Sequence, residues 1–252
     1  MLAMKISRCI RVCSLFTVLA VMAAFIPARP GAAATLPQQE AERLLSDTYT
    51  LLCYMDLTGE ADYAGKPQNV LRAALFGAYD AKMGFAYEQE MRTEAGKPPL
   101  PANAPLFSVD GKPLPADQVV RRDEDSTGIF NNLPEEFTCF ITKEAVELAA
   151  PYFTGHRFGE HVDPGELEGL GRVILNDKGY FVSIDGLGDP GSEPVLKQIE
   201  PQGNGFVLTG EIEEYMGDPD ETKAAPAFRL ELMPGEVPGA WKRQYTQQSA
   251  AL

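Results

Sequence analysis

The sequence predicts an α+β fold, in which N-terminal helices pack on a C-terminal antiparallel β-meander of about five to six strands. In the first part of the chain, apolar residues recur at helical spacing. From about residue 171 to residue 247, apolar and polar residues alternate with a period of two, in short runs separated by turn residues. No segment long enough for a parallel crossover interrupts these runs, so antiparallel pairing is favoured.

The first 34 residues have the three parts of a secretory signal peptide. Lys5, Arg8 and Arg11 form a basic start, residues 12–26 form an apolar core, and small alanines end the segment at Ala34. The apolar core is short for a transmembrane span. We expect cleavage after Ala34, and an uncleaved membrane anchor is the alternative.

The predicted mature chain, residues 35–252, is long enough for a single α+β domain. We place its helical part at about residues 35–155 and its β-meander at about residues 171–247. Two small domains are the alternative. We expect this chain to be periplasmic or secreted, and not to insert into a membrane once the leader is removed.

The chain is strongly acidic, with 36 acidic and 22 basic residues and a net charge of −14. Four of the basic residues and none of the acidic residues lie in the leader, so the mature chain carries about −18. Such a charge repels nucleic acid and anionic membrane surfaces, and it attracts cations or basic proteins. It also keeps a protein soluble, which is the simpler interpretation.

Two of the four cysteines, Cys9 and Cys13, lie in the leader, which leaves Cys53 and Cys139 in the mature chain. An even number of cysteines in an oxidising compartment predicts a disulfide between them. Two buried thiols are the alternative.

Three helices are expected in the N-terminal part. The first covers residues 38–56, and the second runs from about Pro67 to Met83, where Gly84 is expected to stop it. A third continues through residues 85–95. Thr142 is expected to cap the start of a further helix, which ends at about Phe153.

The predicted strands have one apolar face and one polar face. The apolar face is formed by Phe206, Leu208, Gly210 and Ile212 in one strand and by Phe228, Leu230 and Leu232 in the next. In the last strand, Trp241, Arg243 and Tyr245 share a face. That face is predicted to be either core, where the guanidinium of Arg243 needs a partner, or a ligand-binding groove for an anionic or planar ligand.

The first of two stretches whose side chains could bind a metal contains both histidines of the mature chain. His156, Glu160, His161 and Asp163 carry the side chains that zinc takes as ligands. The histidines are five residues apart, whereas the helical protease motif needs a spacing of four. A polar surface loop is therefore the simpler interpretation, and a zinc site is the alternative.

A second stretch, residues 123–128, begins with alternating acidic residues and ends with glycine. Asp123 and Asp125 resemble the opening of a calcium-binding loop. Pro134 stands where such a loop needs its bidentate glutamate, so a solvated acidic loop is the simpler interpretation.

Complete catalytic signatures are absent from the mature sequence, including the nucleophile-elbow, P-loop, dinucleotide-binding and Cys-x-x-Cys motifs. We therefore predict a non-catalytic module of the bacterial cell envelope that binds a small molecule or an envelope protein. The alternative is a metal-dependent hydrolase that uses the loop from His156 to Asp163. No resident cofactor is predicted beyond the zinc or calcium already considered.

Overall fold

The structure, a computed structural model, describes residues 35–54, 66–159, 162, 167, 172–184, 191–214 and 225–248. The predicted leader lies outside these ranges, so the structure does not test its cleavage. Within them, no helix combines the length and the apolar character that a membrane crossing requires.

The described α-helices are α1 (Gln38–Tyr54), α2 (Pro67–Glu94) and α3 (Lys143–Thr154). The ends of α3 are those that the sequence predicts. Thr142 accepts a hydrogen bond from the backbone N–H of Ala145, and Gly155 ends the helix in the left-handed conformation with φ of 75°. The signal at Thr142 is local in sequence, which is why the start of α3 could be recognised without a structure.

Helix α2 continues through Gly84, where the sequence predicted a stop. Gly84 does not have a positive φ, whereas Gly96, two residues after the helix, does. A glycine ends a helix when it adopts the left-handed conformation, and inside a helix it only lowers stability. The predicted second and third helices are therefore one helix of 28 residues.

Ten strands are described, in three sheets. Their bounds are β1 Pro105–Val109, β2 Lys112–Pro115, β3 Val119–Arg121, β4 Cys139–Thr142, β5 Val173–Leu175, β6 Gly179–Val182, β7 Ser192–Gln202, β8 Gly205–Glu214, β9 Ala227–Pro234 and β10 Trp241–Gln248. Strands β1 and β2 form a hairpin, the second sheet has the order β3-β4-β6-β5, and the third has the order β10-β9-β8-β7.

The α+β class is confirmed, and the C-terminal antiparallel meander has four strands rather than five or six. The first two strands of the predicted meander, β5 and β6, belong to the second sheet, because β6 pairs with β4. Gly179 permits this pairing: a Cβ there would lie 2.9 Å from Cζ of Phe140 and closer still to the carbonyl oxygen of Ile141. Local alternation does not reveal this partner, since β4 lies far upstream in the chain.

The main core lies between the three helices and the meander. Helix α1 packs on β7, α3 packs on β10, and α2 packs mainly on α3. The predicted inward faces of β8 and β9 are buried, with Leu208 and Leu230 both fully inaccessible. The alternation in the sequence therefore identified the correct face of the meander.

The predicted disulfide is absent, because both cysteines are free thiols. Cys53 lies on α1 and forms a hydrogen bond with Tyr49, whereas Cys139 lies in β4, where the charges of Lys82 and Glu124 act on it. The two thiols therefore belong to different neighbourhoods of the core.

Candidate functional site

The predicted ligand-binding face of β10 is turned toward the core. Arg243 is 2% exposed and Tyr245 is 1% exposed. Trp241 is half-buried at the edge of the core, with its ring edge-to-face against Phe206 at a centroid distance of 5.6 Å. The sequence left open whether this face is part of the core or a ligand-binding groove, and this arrangement corresponds to the core.

Arg243 has neutral hydrogen-bond partners. Its Nη1 donates to Oγ1 of Thr48 at 3.2 Å and its Nη2 donates to the carbonyl oxygen of Tyr152 at 2.7 Å. Its Nε has no acceptor among the described residues. No described carboxylate lies within ion-pair distance of this guanidinium, although the charge of Arg243 lowers the pKa of Asp47.

Two residues of α1 continue this polar region toward solvent. Nη1 of Arg43 lies 3.4 Å from Oδ2 of Asp47, one helical turn away, and also donates to the hydroxyl of Tyr152. The guanidinium of Arg43 lies 5.0 Å from the centre of the Tyr152 ring, which is stacked on Phe107 at 4.1 Å. Helices α1 and α3, the hairpin strand β1 and the strand β10 therefore meet at Tyr152.

Asp80 of α2 adds a second carboxylate to this region. Desolvation, followed by the negative charge of Asp47, raises the pKa of Asp80 to about 6. The side chain is nevertheless exposed to solvent. We call Arg43, Asp47, Asp80, Tyr152 and Arg243 the junction cluster.

The carboxylates of the junction cluster differ in their partners. Desolvation raises the pKa of Asp47, and the charges of Arg243 and Arg43 oppose that rise. Asp80, by contrast, has neither a hydrogen-bond donor nor a cation within ion-pair distance among the described residues, and it is close enough to Asp47 for the like charges to repel. The junction cluster therefore presents one accessible carboxylate that lacks a counter-charge.

The predicted metal residues are only partly described. His156 is linked to the β9–β10 connection, because its Nδ1 lies 3.0 Å from Oε1 of Glu236. Oε2 of Glu236 accepts from the backbone N–H of Arg157 at 2.9 Å, and Nζ of Lys242 lies 3.3 Å from Oε1. The Arg157 amide is the largest cause of the lowered pKa of Glu236; desolvation opposes it, and His156 and Lys242 lower the pKa further.

The remaining members of this predicted site, Glu160, His161 and Asp163, lie outside the described residues, so the zinc site and the hydrolase that would use it remain predictions. In the ranges that the structure describes, no group of three or more histidine, cysteine, aspartate or glutamate side chains is placed to hold a metal ion.

The acidic loop has a structural use. Asp123 forms an ion pair with Arg121. Oδ1 of Asp125 accepts from the backbone N–H and the hydroxyl of Thr127, both at 2.8 Å, and from the N–H of Gly128 at 3.0 Å, while its Oδ2 accepts from Phe130 at 3.2 Å. Desolvation raises the pKa of Asp125, but these hydrogen bonds outweigh it and leave that pKa lowered.

Sequence reasoning missed four members of the junction cluster: Arg43, Asp47, Asp80 and Tyr152. One signal was present, since Arg43 and Asp47 are one turn apart on a predicted helix and a charged pair at that spacing marks a polar stripe. The convergence of α1, α2, α3 and β10 depends on tertiary packing, which no local pattern specifies.

Comparison of the chain with protein-family models, with curated proteins and with solved structures gave no match. The fold therefore defines the class, an α+β protein with helices covering a four-stranded antiparallel meander, and the functional argument rests on the site alone.

Proposed function

We propose that this protein is an exported, non-catalytic binding module of the bacterial cell envelope, periplasmic or secreted, and that it recognises a cationic group of its partner through Asp80. The observation that carries the proposal is the accessible carboxylate of Asp80, which has no counter-charge among the described residues. A protonated amine or a guanidinium supplies the missing charge.

The electrostatics of the site favour a cation over an anion. Asp47 and Asp80 repel each other, so a positive group beside Asp80 lowers the energy of both carboxylates. The net charge of −14 attracts cations from a distance as well. The basic side chains of the cluster do not cancel this preference, because Arg43 already pairs with Asp47 and Arg243 is buried.

The export part of the proposal is supported by the basic, apolar and small-residue segments of residues 1–34. Intact mass spectrometry of protein recovered from the periplasm or the medium tests it, and we expect a mature N-terminus at Thr35. Recovery of the full-length chain in the membrane fraction would contradict this part of the proposal.

The cation preference is tested by NMR titration with N-acetyl-lysine methylamide and N-acetyl-arginine methylamide at neutral pH. We expect saturable shifts around Asp80 with a dissociation constant of about 1 mM, which corresponds to about −4 kcal/mol. Asp80→Asn should abolish them, whereas the control Asp123→Asn, at an exposed carboxylate that already pairs with Arg121, should keep them. Shifts that do not saturate, or that persist in Asp80→Asn, would contradict the proposal.

A further inference from the structure

The C-terminal half of α2 has an exposed face that begins at Asp80. Asp80, Gly84, Tyr87 and Met91 stand at positions i, i+4, i+7 and i+11, which lie along one side of an α-helix. Tyr87 is 38% exposed and Met91 is 39% exposed, and only one other large apolar side chain among the described residues, Met233, is as accessible. An apolar stripe therefore leads directly to the unpaired carboxylate.

Gly84 lies within this stripe and has no structural explanation. Its φ is not positive, and a Cβ built on it would meet no atom within 4 Å. Glycine inside a helix costs about 1 kcal/mol relative to alanine. The missing side chain leaves a notch in the surface between Asp80 and Tyr87.

The same face of α2 shows what such a notch accommodates. Gly77, seven residues before Gly84 and about 10 Å away along the helix, lies under the ring of Phe153. A Cβ at Gly77 would lie 2.7 Å from Cγ of that ring and closer still to two other ring atoms. A glycine of this face thus receives a large apolar side chain at position 77, and the notch at position 84 has no such occupant.

We propose that the face of α2 from Asp80 to Met91 is a docking surface for a segment of a partner protein. The segment inserts an apolar side chain over Gly84, against Tyr87 and Met91, and places a lysine or arginine against Asp80. This inference rests on the proposed function of Asp80, and it identifies the cationic group as a side chain of a protein.

Charge distinguishes this occupant from the alternatives. A second copy would bring the stripe and the exposed glutamates beside it, Glu90 and Glu94, against the same acidic groups. The two basic residues of this part of α2 are already engaged. Nζ of Lys82 lies 2.7 Å from Oε2 of Glu124, and Nε of Arg92 donates to the carbonyl oxygen of Pro98 at 2.9 Å. An anionic bilayer is repelled for the same reason. A basic segment with an apolar face fits the surface.

The test uses the mature protein and a fluorescent amphipathic peptide of about 14 residues, built from leucine and lysine, with a leucine–glutamate peptide as the matched probe. Fluorescence anisotropy at about 150 mM salt, where exposed charges are screened over about 8 Å, should show saturable binding of the lysine peptide alone. Equal binding of both peptides would overturn the proposal.

Variants locate the binding. Tyr87→Lys and Met91→Lys should each weaken binding at least tenfold, and the control Met233→Lys, on β9, should bind as the wild type does. Gly84→Leu fills the notch with a residue that favours helix, so its weaker binding cannot be attributed to unfolding. Wild-type affinity in all three stripe variants would overturn the docking surface.

The two proposals fail separately. If Asp80→Asn loses the lysine-amide shifts while the stripe variants bind the peptide normally, the cation site stands and the docking surface is wrong. If the stripe variants lose peptide binding while Asp80→Asn keeps both ligands, the surface stands and the role of Asp80 is wrong. A concentration-dependent dimer in sedimentation velocity that Tyr87→Lys dissociates would assign the surface to a second copy and overturn the proposal.

Discussion

The ring of Phe153 in α3 lies directly on Gly77 of α2, at a distance that leaves no room for a Cβ. This contact brings the two helices close together at the centre of the helical layer. Gly77 and Gly84 belong to the same face of α2, yet only Gly77 is covered by another part of the described chain. The two glycines therefore allow a matched experiment.

Gly77→Ala should destabilise the protein and Gly84→Ala should stabilise it. At position 77 the added methyl group overlaps the Phe153 ring, and overpacking of this kind costs about 1–3 kcal/mol. At position 84 the methyl group meets no atom, and better helix propensity contributes about 0.5–1 kcal/mol. Urea unfolding measures both changes, and equal effects at the two positions would contradict the packing described here.

Arg243→Ala should cost about 3–5 kcal/mol in the free energy of unfolding, because it removes two buried hydrogen bonds from a charged donor, each of which contributes about 1.5–3 kcal/mol. The substitution leaves Thr48 and the Tyr152 carbonyl without their donor and removes the charge that lowers the pKa of Asp47. Arg229→Ala, on the outer face of the meander, should change stability by less than about 0.5 kcal/mol. A similar loss in both variants would indicate that Arg243 is not a buried anchor.

The parts of the fold that the sequence predicted correctly depend on residues that are close in sequence. Thr142 begins α3, and the alternation in residues 206–212 identifies the buried face of β8. Capping and alternation are set by neighbouring residues, so they can be recognised without knowledge of the tertiary structure.

The parts that the sequence did not predict depend on distant residues. Strand β6 pairs with β4, and Arg243 meets Thr48 across 195 residues. The end of α2 was predicted wrongly for a related reason. Glycine frequently ends a helix, but whether Gly84 does so depends on its backbone conformation. Asp80 was missed because nothing in its local sequence separates an unpaired carboxylate from an ordinary surface aspartate.

Trp241→Ala should destabilise the protein by about 2 kcal/mol, below the roughly 3–5 kcal/mol typical of fully buried aromatic residues. The reduction follows from the position of Trp241, which is half-buried and makes an edge-to-face contact with Phe206. Trp241→Phe keeps that contact and should be nearly neutral. Chemical denaturation measures both variants. A native emission maximum equal to that of free tryptophan would contradict the partial burial.

Both cysteines should be recovered as free thiols without reductant. Desolvation raises the pKa of Cys139 to about 12 and also raises the pKa of Cys53, so each thiolate is scarce near neutral pH. Iodoacetamide should react slowly with Cys53, react with Cys139 only after unfolding, and label both in urea. Failure to label either cysteine in urea before reduction would show that the disulfide forms after all.

The contribution of Asp80 to the free energy of unfolding should be less favourable at neutral pH than at acid pH. Its pKa is raised from 3.8 to about 6 in the folded state, so the folded protein binds a proton more tightly than the unfolded chain does. The stabilisation by that proton is complete below pH 3.8 and is lost as the pH rises through about 6. Asp80→Asn removes the carboxylate and should therefore raise the melting temperature at neutral pH, with little effect below pH 3.8.

Asp125→Asn is the matched control, because the lowered pKa of Asp125 gives its charge the opposite effect. The stabilisation by that carboxylate is present above pH 3.8 and is lost as the pH falls through its lower folded-state value. Asp125→Asn should accordingly lower the melting temperature at neutral pH, and the difference should shrink in strong acid. If Asp80→Asn instead lowers the melting temperature at neutral pH, then Asp80 has a stabilising partner within the protein. That result would contradict the proposal that its carboxylate binds a cationic group of another molecule.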